Sequence, residues 1–303
     1  MKNASKILSG LDIQRDYLSI AQYSQEEKAV QLVAIQPVAL INGGDLGEQL
    51  IGELKELKSK FKFSSPDIIC SIPSEYAVIK HLTIDKNDEN PQDSLEWEMS
   101  QQVLGSLDEY VYDFQETATG SAEIKDYLSV AYRKSNINSI SSTLKSVRLN
   151  PVVIDLDIFA LINVIEANYP ERLDNPSVII HSETTKTKII LSIGGTFSDY
   201  ECFEFGNASP EPEEFAEKCK SELEKLISLN QNTFNRNPIN IFYTGSLLGQ
   251  YPYSNALVSS LGGGELINPF RRIGCRVGVD QDQLNSYISQ LAVAVGLAYR
   301  GND

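Results

Sequence analysis

The chain has 303 residues, 42% of them hydrophobic and 22% charged, which is ordinary for a globular protein with two domains or one large bilobal unit. Its formal net charge of −15 argues against binding to nucleic acid or to anionic membranes, because both attract clusters of lysine and arginine. The four cysteines form no C-x-x-C pair and the two histidines lie in no metalloprotease motif, so no metal site is predicted.

No apolar segment has the length and purity of a signal sequence or a membrane span. The longest one, near residues 151–167, is interrupted by Asp155, Asp157 and Asn163. The sequence therefore predicts a cytoplasmic protein that does not insert into a membrane.

The first half of the chain predicts strands that lead into helices. A helix predicted at residues 46–61 has an apolar stripe formed by Leu50, Leu54 and Leu57. Strands are predicted at 7–13, 17–23, 30–37, 67–71, 76–84, 110–116, 124–133 and 152–155, and further helices from Asp93 through Val103, at 138–149 and at 157–168.

The second half repeats this order of elements. Strands are predicted at 177–180, 188–193, 200–205 and 240–243, and helices at 213–230 and 284–299. Gly296 lies inside the last helix, where glycine is expected only if another element packs closely on it. The pattern alone predicts an α/β chain with two lobes.

Four passages carry a resemblance to a known family, and their order and spacing are more specific than any one of them alone. They are Gly10-Leu-Asp-Ile13; Ser71-Ile-Pro-Ser-Glu75 with Lys80-His-Leu-Thr-Ile84, the helix around Trp97 and Tyr112-Asp-Phe-Gln115; Leu149-Asn-Pro-Val-Val-Ile-Asp-Leu-Asp-Ile-Phe-Ala-Leu161; and Ala292-Val-Ala-Val-Gly-Leu-Ala-Tyr-Arg300. In these passages the chain resembles the type IV pilus assembly protein PilM family.

The resemblance implies an actin-like fold, the two-lobed α/β fold of the actin, Hsp70 and sugar-kinase superfamily, with the small inserted subdomain that PilM and FtsA share. It places the first lobe at residues 1–160, the insertion at about residues 74–150 within that lobe, and the second lobe at residues 161–303.

The resemblance also implies a partner. The short cytoplasmic N-terminal tail of a PilN-like inner-membrane protein is expected to bind in a groove beside the insertion, and Glu75, Lys80, His81 and Trp97 are the candidate groove residues. Contact with the pilus motor ATPases is implied as well. The chain would be peripheral to the inner membrane through its protein partner, and homo-oligomerisation is left open.

Actin-like folds hold ATP between two strand–turn–strand hairpins whose backbone N–H groups approach the phosphates, and glycine is needed where a side chain would block that approach. The first hairpin keeps Asp12, but Gln14 replaces the family's glycine. Arg15 follows it and is either a phosphate contact or, as we prefer, a solvated turn residue.

The second hairpin departs further from the family pattern. His181-Ser-Glu183 stands where the family has Asp-Ile-Gly, so that Glu183 places a negative charge near a polyphosphate. The following residues, Thr184 to Lys186, are interpreted as an ordinary exposed turn. In the adenosine-binding turn only one glycine of two, Gly245, is kept.

These departures predict weak or absent binding of ATP and Mg²⁺, and no catalytic residue is assigned. If a nucleotide site is retained, the residues expected to form it are Asp12, Gln14, Arg15, Thr184 and Gly245.

The leading hypothesis is a non-catalytic scaffold, a pseudo-ATPase, of a type IV pilus or related secretion platform. One alternative is an actin-like ATPase, ATP-binding switch or kinase whose altered site uses Arg15, Lys186 or Asp157. Asp155 and Asp157 also form a candidate acid–base pair, although a structural role is preferred. A third hypothesis is the cytoplasmic domain of a GspL-like type II secretion protein, which the lack of a transmembrane helix before Asp303 disfavours.

Overall fold

The computed structural model describes residues 7–38, 46–61, 63–117, 120–205, 210–234, 238–276 and 281–300. The strands in these ranges are β1 (Ile7–Ile13), β2 (Tyr17–Ser24), β3 (Ala29–Pro37), β4 (Asp67–Ile72), β5 (Val78–Asp85), β6 (Tyr110–Glu116), β7 (Ile124–Arg133), β8 (Asn150–Leu156), β9 (Ser177–Ser182), β10 (Lys186–Ile193), β11 (Thr196–Glu204), β12 (Asn240–Thr244), β13 (Glu265–Leu266) and β14 (Gly274–Cys275).

The helices are α1 (Leu46–Lys60), α2 (Pro91–Ser100), α3 (Lys134–Ser146), α4 (Asp157–Asn168), α5 (Pro212–Leu229), α6 (Gln231–Phe234), α7 (Tyr251–Leu261), α8 (Gln281–Tyr287) and α9 (Ala292–Arg300). A single 3-10 turn at Ser74–Tyr76 joins β4 to β5. None of the helices in the described ranges combines the length and the apolar character that a membrane span requires.

The first sheet has six strands in the order β14-β3-β2-β1-β4-β8. β1, β2 and β3 form an antiparallel meander, and β4 and β8 extend it in parallel with β1. Helices α1, α3, α4 and α9 share one core with this sheet. The predicted stripe of α1 lies in that core, since Leu50, Leu54 and Leu57 are fully buried.

The second sheet repeats this plan in the order β11-β10-β9-β12-β13. β9, β10 and β11 form an antiparallel meander, and β12 and β13 run parallel to β9. The apolar residues of α5, which recur at helical spacing from Phe215 to Leu226, form a second core with this sheet and α7. The repeated strand order confirms the two-lobed actin-like fold expected from the sequence.

A small third sheet, in the order β5-β7-β6, lies between β4 and β8 in the chain. It has its own core with α2, formed chiefly by Leu82, Ile84, Leu95, Met99 and Tyr110. This sheet falls within the insertion expected at about residues 74–150.

The C-terminal part of the chain returns to the first sheet. β14 pairs with β3, and α9 packs on β1, β2 and α4. A Cβ atom added to Gly296 would lie 1.9 Å from the carbonyl oxygen of Ala160 in α4, which confirms the close packing expected at this glycine. The lobe boundary at residues 160 and 161 stays a prediction, but these contacts join the end of the chain to the first lobe.

Three predicted helices differ from the observed ones. The helix predicted at 138–149 is observed at Lys134–Ser146, as α3. α2 begins at Pro91, ahead of the predicted cap at Asp93, because proline suits the first helical position. The helix predicted at 284–299 is broken between α8 and α9. At the break, the carbonyl oxygen of Ser289 accepts hydrogen bonds from Thr244 Oγ1 at 2.7 Å and Gly245 N at 2.9 Å, which are made in place of a helical bond.

Candidate functional site

The cleft between the lobes is bounded by two tight hairpins that face each other. The β1–β2 turn is closed by a hydrogen bond from Gln14 N to the carbonyl oxygen of Tyr17, and the β9–β10 turn by one from Glu183 N to that of Lys186. Each turn connects two antiparallel strands at one end of its sheet. The two sheets are placed so that both turns lie at the same cleft. The turn after β12, at Gly245, joins them there.

Asp12 is the carboxylate of the first hairpin, and its oxygens are already occupied. Oδ1 accepts a hydrogen bond from Ser71 Oγ at 2.7 Å, and both oxygens lie 3.1 Å from Nε2 of Gln14, which donates to them. Burial raises the pKa of Asp12 to about 6, although these hydrogen bonds lower it. Gln14, which replaces a glycine of the family, therefore folds back over the carboxylate.

The two hairpins are joined by direct hydrogen bonds across the cleft. Tyr17 donates its hydroxyl to Oε1 of Glu183 at 2.8 Å, and Thr184 donates Oγ1 to Oδ2 of Asp16 at 2.6 Å. Ser246 adds a bond from its Oγ to Oδ2 of Asp16 at 3.5 Å. The lobes thus contact each other where an actin-like fold holds the phosphates of its nucleotide.

Glu183 is the central acceptor of this contact, and its side chain is only 11% exposed. Ser246 donates both its backbone N–H, at 3.2 Å, and its hydroxyl to Oε2. Burial raises the pKa of Glu183 to about 8, and the nearby Asp16 and Asp12 add to the shift. The carboxyl is therefore protonated at neutral pH.

His181 lies beside Glu183, with Nε2 at 3.3 Å from Oε1 of the carboxyl. Burial lowers the pKa of His181 to about 4, so its imidazole is neutral at pH 7. Both side chains of the pair are therefore uncharged, which lowers the free-energy cost of burying them.

Gly245 is required by the backbone of the third turn. Its φ is +106°, and a Cβ atom there would lie 2.2 Å from the carbonyl oxygen of Ser182. This packing sets Ser246 against Glu183 and holds β12 close to β9.

A second set of cross-lobe contacts surrounds Lys188, whose side chain is 6% exposed. Its ammonium pairs with Asp157, the first residue of α4, and with Glu75 at 2.6 Å. Burial acts to lower the pKa of Lys188, but the two carboxylates outweigh it and raise the pKa above its usual value. Glu75 is also paired with Lys186 at 2.8 Å, and its pKa falls to about 2 because these cations outweigh its burial.

The start of the insertion is fixed at the same place. Tyr200 in β11 donates its hydroxyl to the carbonyl oxygen of Ser74 at 2.9 Å, and Ser74 N donates to Oδ1 of Asp157 at 3.2 Å. The ammonium of Lys186 lies 5.2 Å from the centre of the Tyr76 ring. Charge and hydrogen bonding thus tie the turn at Ser74–Tyr76 to β10 and β11.

Of the residues expected to form a nucleotide site, Asp12, Gln14, Thr184 and Gly245 do meet at the cleft, whereas Arg15 is exposed. The interpretation of residues 184–186 as an ordinary exposed turn holds only in part, since Thr184 is exposed in the turn but the segment also makes contacts across the cleft. Thr184 bonds to the first hairpin, and Lys186 pairs with Glu75, because the two hairpins meet directly.

Asp155 and Asp157 have separate ion-pair partners. Asp155 pairs with Arg300 of α9 at 2.6 Å, and Asp157 pairs with Lys188. Both contacts join elements of the fold, in agreement with the structural interpretation.

The candidate groove residues lie on more than one surface. Glu75 belongs to the ion-paired set of Glu75, Asp157, Lys186 and Lys188, the ionic cluster. His81 lies 3.1 Å from Asp126 and stacks on Phe197 of β11. Lys80, the neighbour of His81 in β5, is exposed on the opposite face of the strand. Trp97 is 61% exposed and lines a separate cavity of about 580 Å³. Their role in binding a partner stays a prediction.

Sequence reasoning missed Tyr17, Ser246 and Lys188 as site residues. Lys188 offered the clearest signal, since a charged residue within an otherwise apolar strand calls for a buried partner. Tyr17 and Ser246 gave no such signal, because their roles depend on Glu183 from a distant part of the chain.

The structure is similar to several solved structures. It matches the PilM–PilN type IV pilus biogenesis complex with a TM-score of 0.82 at 18% identity, covering 98% of each chain. It also matches the ethanolamine utilization protein EutJ from Carboxydothermus hydrogenoformans with a TM-score of 0.56 at 11% identity, covering 98% of this chain and 90% of that one.

A third similar structure is the cytoplasmic domain of EpsL, an inner-membrane component of the type II secretion system of Vibrio cholerae. Its TM-score is 0.50 at 10% identity, covering 80% of this chain and 83% of that one. These identities show a shared fold. No curated protein matches the chain significantly by sequence.

The family model for type IV pilus assembly protein PilM matches residues 10–193, which is more than half of the chain. This range contains both cleft turns, the insertion, and the ion-paired residues Glu75, Asp157, Lys186 and Lys188. The hydrogen bond from Tyr200 to Ser74 comes from β11, which follows the matched range. The chain therefore belongs to the type IV pilus assembly protein PilM family.

Proposed function

We propose that this protein is a non-catalytic scaffold of a type IV pilus inner-membrane platform and binds the cytoplasmic N-terminal tail of a PilN-like partner. The proposed location is the cytoplasmic face of the inner membrane, reached through that partner. Family membership and the likeness over 98% of the chain to PilM in a complex with PilN support the partner.

The observation that carries the non-catalytic part is the direct contact between the two hairpins. The hydrogen bonds among Tyr17, Glu183, Thr184 and Asp16 lie where a polyphosphate would have to enter. A nucleotide would have to break these bonds and would then face the carboxylates of Asp12 and Asp16, which repel its negative charge. The residues present do not fit ATP with Mg²⁺.

The alternative of an altered ATPase site would use Arg15, Lys186 or Asp157. Lys186 and Asp157 are held in ion pairs with Glu75 and Lys188, so neither is available to contact a phosphate without breaking the cluster. These pairings favour the scaffold over the altered enzyme.

The test is calorimetric titration of the purified protein with a synthetic peptide of the N-terminal tail of its PilN-like protein. We expect saturable binding with the same affinity in the absence and presence of Mg²⁺-ATP. A peptide with the same composition in scrambled order is the control. No binding of the native tail would contradict the proposed partner, and measurable Mg²⁺-dependent ATP turnover would contradict the non-catalytic role.

A further inference from the structure

The outer edge of β11 is an open sheet edge. β11 is the terminal strand of the second sheet and pairs with β10 alone among the described strands. Its nine residues, Thr196–Glu204, are mostly half-buried or exposed. A terminal strand offers a row of backbone groups with which another chain can pair.

The alternation of hydrogen-bonded and non-bonded residue pairs between β10 and β11 shows which backbone N–H and C=O groups of β11 point away from β10. Phe205 N donates to the carbonyl oxygen of Thr185 at 3.3 Å, and the register pairs Phe203 with Thr187. Because hydrogen-bonded and non-bonded pairs alternate in an antiparallel ladder, Phe203 bonds to β10. Cys202 and Glu204 therefore direct their N–H and C=O groups away from the sheet.

A cavity of about 460 Å³ lies along this edge. Residues 200–204 line it together with Glu75 and Lys186. The cavity thus opens at the seam between β11 and the turn that begins the insertion, where Tyr200 also bonds to Ser74. A chain added to β11 would lie beside the ionic cluster that joins the lobes.

The charge of the edge selects its occupant. β11 carries Asp199, Glu201 and Glu204 and no basic residue, and the last two are exposed. Asp199 accepts a hydrogen bond from Asn230 at 2.9 Å, and Oε1 of Glu204 pairs with Lys186 of β10 at 3.1 Å. The carboxylate of Glu201 and Oε2 of Glu204 therefore carry the negative charge that an added strand would meet. A second copy paired through this edge would bring two acidic strands together, which like-charge repulsion disfavours. Glu201 and Glu204 are three residues apart and lie on opposite faces of β11, so an extended segment with lysine or arginine on both of its faces complements the edge instead.

We propose that the outer edge of β11 docks an extended, Lys- or Arg-bearing polypeptide segment, which pairs with the backbone of Cys202 and Glu204 and sets its cations against Glu201 and Glu204. This is strand addition, in which main-chain hydrogen bonds supply affinity and side chains supply specificity. The site goes beyond the proposed function, since it requires no tail of a PilN-like protein.

The test uses the full chain and a fluorescein-labelled peptide of about ten residues, the length of one strand, in which lysines stand three positions apart among valines and so lie on both faces of the added strand. Amide hydrogen exchange of the free protein should be fast at Cys202 and Glu204 and slow at Glu201 and Phe203. Saturation with the peptide should slow exchange at Cys202 and Glu204. A peptide with glutamate in place of lysine is the matched control and should not bind.

Cys202→Pro removes an outward N–H while leaving the bonds to β10, and Cys202→Ala keeps that N–H. We expect Cys202→Pro to weaken peptide binding by up to about tenfold, because one lost backbone hydrogen bond is worth up to a factor of about ten. Cys202→Ala should bind as the original protein does. The double substitution of Glu201→Lys and Glu204→Lys tests the charge, and it serves if the proline variant does not fold.

Several results would overturn the proposal. They are slow exchange at Cys202 and Glu204 in the free protein, no binding of the lysine peptide, equal binding of the glutamate peptide, and binding unchanged by Cys202→Pro or by the charge reversal. Concentration-dependent protection of these amides without peptide would identify a second copy as the occupant instead. Binding of the PilN-like tail, measured on the same variants, should be unchanged, so the two proposals fail separately.

Discussion

Gln14 and Glu183 each stand where the resemblance to the family implies glycine, and the two side chains act differently. The amide of Gln14 folds over Asp12, whereas the carboxyl of Glu183 accepts bonds from Tyr17 and Ser246. A glycine in either place would leave room for a phosphate oxygen. The longer side chains fill that room and join groups of the protein to one another.

The raised pKa of Glu183 predicts that the protein loses stability as the pH rises from about 6.5 to about 8. The folded state holds a proton on this carboxyl up to about pH 8, whereas the unfolded carboxyl loses it near its ordinary pKa of 4.5. Between these values the folded state binds more protons, so the free energy of unfolding falls as the pH rises. In the folded state Asp12 titrates at about 6 and His181 at about 4, below this window. Unfolded His181 loses its proton near 6.5, so its contribution, which has the opposite sign, fades above about pH 7 and the change due to Glu183 dominates from there to about pH 8.

Glu183→Gln should flatten the dependence of the free energy of unfolding on pH between pH 6.5 and 8. Over this range the original protein should lose about 1 kcal/mol or more of that free energy, the equivalent of one pKa unit. Urea denaturation at several pH values measures this. Glu201→Gln, at an exposed glutamate of β11, is the control and should keep the original slope. The interpretation fails if the slope of Glu183→Gln equals that of the original protein.

Lys188→Met should destabilise the protein strongly. It leaves Asp157 buried without its cation and leaves Glu75 paired with Lys186 alone, and breaking a buried ion pair in this way costs about 3–5 kcal/mol. Lys225→Met is the matched control, because Lys225 pairs with Glu222 on the exposed face of α5 and should contribute less than about 1 kcal/mol. Chemical denaturation measures the free energy of unfolding of both variants. Similar decreases would show that the buried ion pairs of Lys188 stabilise the protein no more than the exposed pair of Lys225 does.

At the scale of elements, the sequence predicted most of the strands and helices, because their periodicity is local. The stripes of α1 and α5 and the two hairpins of the cleft are examples. The break between α8 and α9 was not predictable in this way. It depends on Thr244 and Gly245, which lie more than forty residues earlier and donate hydrogen bonds to the carbonyl oxygen of Ser289.

The packing of α9 on α4 predicts a contrast between two helical glycines. Gly296→Ala would place a Cβ atom 1.9 Å from the carbonyl oxygen of Ala160, so the helices must separate, at a cost of about 1–3 kcal/mol. Gly52→Ala in α1 meets nothing within 4 Å and should stabilise the protein by about 0.5–1 kcal/mol. Thermal unfolding measures both, and a neutral Gly296→Ala would refute the close approach of the helices.

At the scale of the whole molecule, the sequence could not predict that the lobes touch. Tyr17 and Glu183 are 166 positions apart, and Asp16 and Ser246 are 230 apart. Local patterns identified both hairpins, and the resemblance to the family implied the loss of glycine, which together sufficed to expect a damaged nucleotide site. The bonds that join the hairpins follow only from the way the two sheets face each other.

The joined hairpins predict that Mg²⁺-ATP will leave the melting temperature unchanged. A ligand at about 100 times its Kd would stabilise the folded state by about 2.7 kcal/mol and raise the melting temperature by several degrees. Differential scanning fluorimetry with millimolar Mg²⁺-ATP should show a change below about 1 °C, equal to that in sodium sulfate of the same ionic strength. A saturable rise with ATP alone would mean that the hairpins open for a nucleotide.

The position of α9 has a consequence for the order in which the chain matures during synthesis. Residues 292–298 are all buried, and they complete the core of a lobe whose first strand is β1. Domains usually fold as they leave the ribosome, the N-terminal one first. Here the nascent N-terminal lobe must wait, with part of its apolar surface open to chaperones, until the final helix has emerged.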